Sequence, residues 1–144
     1  FPGPDIHEND IGVVEATGID VGNLGSDNTF SWVLEGANGV VTNGGVRDTD
    51  EIIRQDIPTY HRTISKPIIP GRDEMDAAQV PVNLDGTRVE PGDIVVADGD
   101  GVVVVPLRVA REVGEAASRI QSEDQERRRE HYERAGMEKD FTLE

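Results

Sequence analysis

The sequence predicts an α/β domain, and three stretches carry that prediction. Gly39-Val40-Val41 runs through Thr42-Asn43-Gly44-Gly45 to Arg47-Asp48, and Thr49-Asp50-Glu51-Ile52 then opens a helix. That is a buried strand, a tight loop and a helix in succession. Val80 to Pro106 is dense in short β-type runs separated by turn pairs, and Leu107 to about Arg134 carries apolar residues at helical spacing.

Each element follows from local chemistry. Phe1 to Asp10 is a Pro-, Gly- and acid-rich lead-in; its His7-Glu8 pair does not continue into a zinc-protease HExxH, because position 11 is Ile. Ile11-Gly12-Val13-Val14-Glu15 reads as a short buried strand. A polar loop from Thr17 to Gly25 follows. Ser26 or Asp27 then caps a helix to about Gly36, with Phe30, Val33 and Leu34 facing inward. The free N–H groups and positive dipole end of that helix suit a carboxylate, although a plain helix cap accounts for the same residues.

In the Gly39 to Asp48 strand and loop, Gly44 and Gly45 allow positive φ and close approach of a ligand to the backbone. Ligands of open α/β sheets gather beyond the carboxyl ends of strands, where Arg47 and Asp48 fall. An ordinary strand-to-helix turn with a surface ion pair fits the same residues. A short helix from Thr49 to Gln55 carries Asp50 and Glu51 in its first turn, where they complement the dipole. Thr59-Tyr60-His61-Arg62 is a further strand, with His61 a lone histidine in a structural or surface role, and a Pro- and Gly-rich loop runs to Gly71. Arg72 to Ala78 is polar loop.

Val80 to Leu84 pairs with Thr87-Arg88-Val89 across an Asp85-Gly86 type I′ turn. After Pro91-Gly92, Asp93 to Ala97 and Val102 to Val105 flank Asp98-Gly99-Asp100-Gly101, a turn that lacks the third alternate ligand and later Glu of a calcium loop. In the final helix Val109, Val113, Ala116 and Ile120 make an apolar stripe that stops at Ile120. From Ser122 to Arg134 the helix is almost wholly charged, as a solvated arm or a subunit contact would be.

Composition narrows the function. The chain has 144 residues, enough for one domain burying roughly two thirds of its unfolded surface. With 29 Asp plus Glu against 14 Lys plus Arg, the net charge of −15 repels phosphate backbones and disfavours nucleic acid as a partner. Only Lys66 and Lys139 are lysines, a balance that suits a halophile's cytosol or simply an acidic protein. The absence of cysteine excludes disulfides and thiolate metal sites. No window approaches the ~20 apolar residues of a membrane helix, and no basic-apolar leader opens the chain, so the expected compartment is the cytoplasm. Phe1 in place of Met suggests a fragment or a processed product.

Gly39-Val40-Val41-Thr42-Asn43-Gly44-Gly45-Val46-Arg47-Asp48, followed by Val80-Pro81-Val82, by Val89-Glu90-Pro91-Gly92-Asp93-Ile94-Val95-Val96-Ala97-Asp98 and by Gly101 to Pro106, resembles the RraA-like family. That family includes 4-hydroxy-4-methyl-2-oxoglutarate/4-carboxy-4-hydroxy-2-oxoadipate aldolases and the regulator of ribonuclease E activity. The likeness spans about Ile11 to Val113. It implies a three-layer α/β/β swivelling-domain fold with a C-terminal helix (residues 107–135), the whole chain 1–144 forming one RraA-like domain. It further implies trimers or hexamers with the active site between subunits, a divalent metal (magnesium, with manganese the second choice), and pyruvate chemistry on a keto-acid substrate. By the same resemblance Arg47 is the catalytic, keto-acid-binding residue and Asp48 the metal ligand. Gly25, Ser26, Asp27 and Asn28 would supply the carboxylate site at the helix start.

The activity implied is cleavage of a 4-hydroxy-2-oxo dicarboxylic acid to pyruvate. Oxaloacetate decarboxylation passes through the same enolate. A non-catalytic regulator of ribonuclease activity, acting by protein binding, is the alternative; the regulators tend to lose the Asp at position 48, so its presence favours the enzyme. Two departures stand out. The aldolase pattern has an acidic residue, then twenty intervening residues, then Arg-Asp, and here the acid's position is Ser26, with Asp27 one place later. The family's N-terminal helix and first strands are also lacking. Nor is there a phosphate-loop rival, since Gly22 to Gly25 lacks the following Lys-Ser/Thr.

Overall fold

The computed structural model describes residues 5–16, 18 and 20–143. Two compact units divide the chain at Val104/Val105. The first holds a sheet of four strands: β1 (Ile11–Val14), β2 (Gly22–Leu24), β3 (Gly39–Val46) and β4 (Thr59–Ile64). Every pairing is parallel and every pairing is to β3. β4 follows β3 from Val40 to Val46, occupying one edge. β1 (opposite Gly39 to Thr42) and β2 (opposite Gly45 and Val46) therefore follow one another along the other edge.

β3 reads almost continuously buried, as a central parallel strand must, and Val40 and Val46 are fully inaccessible. They share one core with Leu24, Ile52 and Ile57, against which Val14, Trp32 and Val33 pack. The strand extends through both glycines to Val46, so the loop at its end is only Arg47 and Asp48. The expectation of positive φ at Gly44 and Gly45 fails: neither adopts it. They are needed for space. A Cβ on Gly45 would lie 2.5 Å from both the Ser65 Cβ and the Val21 carbonyl oxygen, and one on Gly44 would lie 2.5 Å from the Ala16 Cβ. The backbone that does turn left-handed is Asp48, at φ 59° and ψ 37°.

Helix α1 (Ser26–Glu35) starts one or two residues earlier than a cap at Ser26 or Asp27 would place it: Gly25 is the N-cap, in extended backbone and with no side-chain cap, and Ser26 is already helical. The inward face is rotated by one residue as well. Thr29 is fully buried, with Trp32 and Val33 against the core, while Phe30 and Leu34 are exposed. The reason lies in β1, where Gly12 leaves room for the Trp32 ring: a Cβ there would sit 2.8 Å from it. The indole fills that notch and sets the helix phase. Helix α2 (Thr49–Arg54) buries Ile52. β2 lies within the stretch that reads as polar loop; three residues with a single apolar side chain, Leu24, give no period to detect.

Two hairpins complete the first unit. β5 (Val82–Leu84) pairs antiparallel with β6 (Thr87–Val89), and positive φ at both Asp85 and Gly86 fits the type I′ turn. β7 (Ile94–Asp98) pairs with β8 (Gly101–Val105) across Gly99-Asp100. The apolar run of β8 is not core, as Val103 is exposed.

The second unit is helix α3 (Ala110–Ala135), entered through a short 3₁₀ turn at Leu107–Val109. None of its residues is buried, and Val113 and Ile120 of the predicted stripe stand exposed. Its C-terminal tail folds back on it: Arg129 donates to the Leu143 carbonyl at 2.8 Å, and Tyr132 donates to Asp140 at 2.9 Å. Hydrogen bonds from the Thr142 hydroxyl and amide, then from Tyr132, hold the Asp140 carboxyl below its ordinary value. A depressed carboxylate stabilises its fold above the ordinary pKa and loses that contribution as pH falls through the folded value. The Thr142 amide resonance is therefore expected to stay fixed through mildly acidic pH and to shift only below the usual carboxylate range. In Asp140→Asn that transition should vanish.

Candidate active site

The sheet delivers its chemistry at the carboxyl ends of β2 and β3. Arg47 leaves β3 with its amide bonded to the Leu24 carbonyl at 2.9 Å, which fixes the two strand ends side by side. Its side chain then lies over the start of α1. A Cβ on Gly22 would meet the Arg47 Cβ and Cδ at 3.2 Å; one on Gly25 would meet Arg47 Cζ at 2.8 Å and Asp48 Oδ2 at 2.7 Å. Gly22 and Gly25 thus form a bare platform, with the arginine stem over one and the guanidinium and carboxylate over the other. Arg47 Nη1 donates to Asp48 Oδ2, and the two side chains remain about one third exposed.

α1 presents its N-terminus to the same place. No side chain caps it, so the amides of its first turn are open to an acceptor, and Asp27 stands in that turn. Thr29 Oγ1 donates back to the Gly25 and Ser26 carbonyls, holding the turn closed. Ser26 donates to Glu51 Oε2 at 2.6 Å, linking the starts of α1 and α2. Glu51 in turn donates its amide to the Asp48 carbonyl at 3.1 Å.

The structure therefore brings Arg47, Asp48, Gly25 and Ser26 together and places Asp27 and Asn28 in the adjoining helical turn. Gly22 and Glu51 are the neighbours that sequence reading did not single out. Gly22 could have been found from its three-residue spacing to Gly25. Glu51 could not, because a first-turn acid on a short helix has a sufficient reason in the dipole alone.

A cavity of the first unit lies elsewhere. About 220 Å³ opens beside Ile11, Gly39, Val40, Tyr60, Val95 and Ala97, near the beginning of β3, whereas Arg47 follows its end. Arg47 and Asp48 sit on an open rim.

The profile of the RraA-like family, described as Aldolase/RraA, matches residues 5–104. The chain belongs to the RraA-like family. A protein of Arabidopsis thaliana whose name assigns it provisionally as a 4-hydroxy-4-methyl-2-oxoglutarate aldolase is 37% identical over 87 residues, 60% of this chain and 52% of that one. A solved structure of an uncharacterized protein from Pseudomonas syringae superposes with a TM-score of 0.81 at 31% identity, covering 92% of this chain and 66% of that one. Streptomyces coelicolor RraAS2, described as an unusual member of the RNase ES inhibitor RraA family, superposes with a TM-score of 0.77 at 29% identity, covering 86% and 64%. This RraA-like chain spans about half the length of the curated relatives it matches. The expected mixed fold with a C-terminal helix is the family's fold.

The divalent metal that the resemblance implies can be tested against the residues present. Among the described residues no group of three His, Cys, Asp or Glu side chains gathers to hold an ion. Asp48 offers one carboxylate at the open rim, and Arg47 engages only its Oδ2. Magnesium binds through one or two carboxylates and keeps several waters, so a single hard oxygen donor fits that ion and does not fit zinc.

Proposed function

We propose that this RraA-like protein is a divalent-metal-dependent carbon–carbon lyase that cleaves a 4-hydroxy-2-oxo dicarboxylic acid to pyruvate. The observation that carries this reading is the Arg47–Asp48 pair resting on Gly25, at the uncapped start of α1 and beyond the ends of two parallel strands. A guanidinium, one carboxylate that would take the metal and free backbone amides meet there, the three groups such a keto-acid reaction would use.

Asp48 would hold the ion, magnesium before manganese. Bound there, a divalent cation supplies Lewis-acid polarisation of the 2-keto group. The protein does the rest. The amides of Ser26, Asp27 and Asn28 receive a substrate carboxylate, favoured by the helix dipole. Arg47, positioned over Gly22 and Gly25 before substrate arrives, donates to the oxygen on which enolate charge develops as C3–C4 breaks. A surface carrying −15 would otherwise repel a dianion, so this local positive charge is also what admits it. Oxaloacetate, losing CO₂ through the same enolate, is a second substrate of the site. Because the rim is open, its closure by a neighbouring subunit in a trimer or hexamer belongs to the same proposal, as does a cytoplasmic location. No helix of the described residues is long and apolar enough to cross a membrane.

The test is pyruvate release from 4-hydroxy-4-methyl-2-oxoglutarate and from oxaloacetate, with magnesium or manganese, with a chelator, and at low and high salt. Metal-dependent pyruvate supports the lyase. A second reading, a non-catalytic regulator of ribonuclease activity, draws on the similarity to the Streptomyces RraAS2 structure. Folded protein that releases no pyruvate but inhibits a ribonuclease would decide for it.

A further inference from the structure

We infer that Glu51 is the residue that takes the proton of the substrate's 4-hydroxyl group, and that Ser26 positions it. This rests on the lyase reading above. Position 26, the first residue of α1, is a serine. The structure shows what the serine does: its hydroxyl donates to Glu51 Oε2 at 2.6 Å. A carboxylate is thus brought to the place from the neighbouring helix. Glu51 also lies one turn after Asp48 and bonds its amide to the Asp48 carbonyl, so both ends of the residue are tied to the site. Ser26 itself adjoins Gly25, the residue beneath the Arg47 and Asp48 side chains.

A carboxylate has about four acceptor positions, and one hydrogen bond from Ser26 leaves capacity for a substrate hydroxyl. The step balances. The 4-hydroxyl proton passes to the Glu51 carboxylate as the O–H electron pair forms the new C4 carbonyl. The C3–C4 pair moves into the enolate, whose oxyanion faces Arg47. The proton on Glu51 then passes to C3, giving pyruvate and restoring the ionised carboxylate. No oxidant or further reactant is required. Oxaloacetate has no 4-hydroxyl, and loss of CO₂ needs no base. Glu51 therefore serves cleavage and not decarboxylation, which makes it the residue that matches the site to hydroxylated substrates.

The experiment compares the two substrates in the purified protein carrying Glu51→Gln, which keeps the shape and can still accept the Ser26 hydroxyl. Cleavage of 4-hydroxy-4-methyl-2-oxoglutarate should fall at least ~10²-fold in kcat with KM little changed, the range of a lost general base. Oxaloacetate decarboxylation should stay within about threefold. Manganese binding, followed by electron paramagnetic resonance, should be unchanged in Glu51→Gln and weakened in Asp48→Asn. Ser26→Ala should lower kcat on the hydroxylated substrate by about tenfold and Ser26→Thr should restore it, a rescue that packing alone does not predict. Equal losses on both substrates, or no loss on either, would overturn the assignment and leave the proton to water. If Glu51→Gln does not fold, the Ser26→Ala and Ser26→Thr pair decides by the same substrate split. A folded wild-type protein inactive on both substrates overturns the lyase reading itself, and is told apart because no split exists to measure.

Discussion

Arg47→Ala is expected to lower kcat/KM for metal-dependent pyruvate release by on the order of 10²–10³-fold, the loss that follows removal of one preorganised donor to a developing oxyanion. Arg47→Lys should recover little of this. The guanidinium lies over Gly25 and donates through Nη1 to the Asp48 carboxylate, which leaves its other N–H groups to bind an anion, and an ammonium is a point charge that cannot reproduce that planar fork. Stability should change little, by about 1 kcal/mol or less, because the ion pair is partly solvated. For Asp48 the informative variant is asparagine rather than alanine. Its left-handed backbone suits Asn, whereas Ala there costs about 1–2 kcal/mol and would confuse a fold effect with a site effect. Asp48→Asn should remove metal dependence and activity together while the thermal midpoint stays put. Turnover near that of the wild type in either Arg47→Ala or Asp48→Asn would end the assignment of this rim as the active site.

The second large effect is structural. Gly45→Ala should destabilise the protein by about 3 kcal/mol, at the upper end of overpacking costs. The added methyl would meet the Val21 carbonyl oxygen and the Ser65 Cβ at 2.5 Å and the Ser65 Oγ at 2.7 Å. None of these can yield cheaply. The first is backbone leading into β2, and Ser65 is almost wholly buried and donates its hydroxyl to Asp20. At roughly 2–4 °C per kcal/mol, the thermal midpoint should drop by about 10 °C. Gly114→Ala is the matched control. It sits inside α3 with nothing within 4 Å of its would-be Cβ, and should raise helix stability by up to about 1 kcal/mol. Equal midpoints for Gly45→Ala and wild type would show that the crowding around β3 is relieved in solution.

Much of this was legible in the sequence, for identifiable reasons. β3 opens on the apolar pair Val40-Val41 and leads into a helix start, and α2 begins where an acid-rich first turn says it should. The type I′ hairpin at Asp85-Gly86 follows from its two residues. The errors share a cause, which is that packing partners were invisible. The phase of α1 is set by the Trp32 ring entering the notch at Gly12, a contact between elements that no periodicity of α1 reveals. β2 exists because β3 offers an edge to it, not because Gly22-Asn23-Leu24 prefers extension. Gly44 and Gly45 looked like turn residues and are instead places where a strand is crowded from outside. At the site, Arg47 and Asp48 stand out by their adjacency, while Glu51 becomes visible only through the hydroxyl of Ser26.

The pairing of every strand of the parallel sheet to β3 has a consequence for synthesis. Among the described residues no sheet hydrogen bond joins β1, β2 or β4 to one another. A ribosome making the chain from its amino end releases β1 and β2 before any strand exists that can receive them. β1 must wait, unpaired, until Thr42 has emerged, and β2 until Val46. A single segment of eight residues then templates both of its predecessors and, after them, its successor.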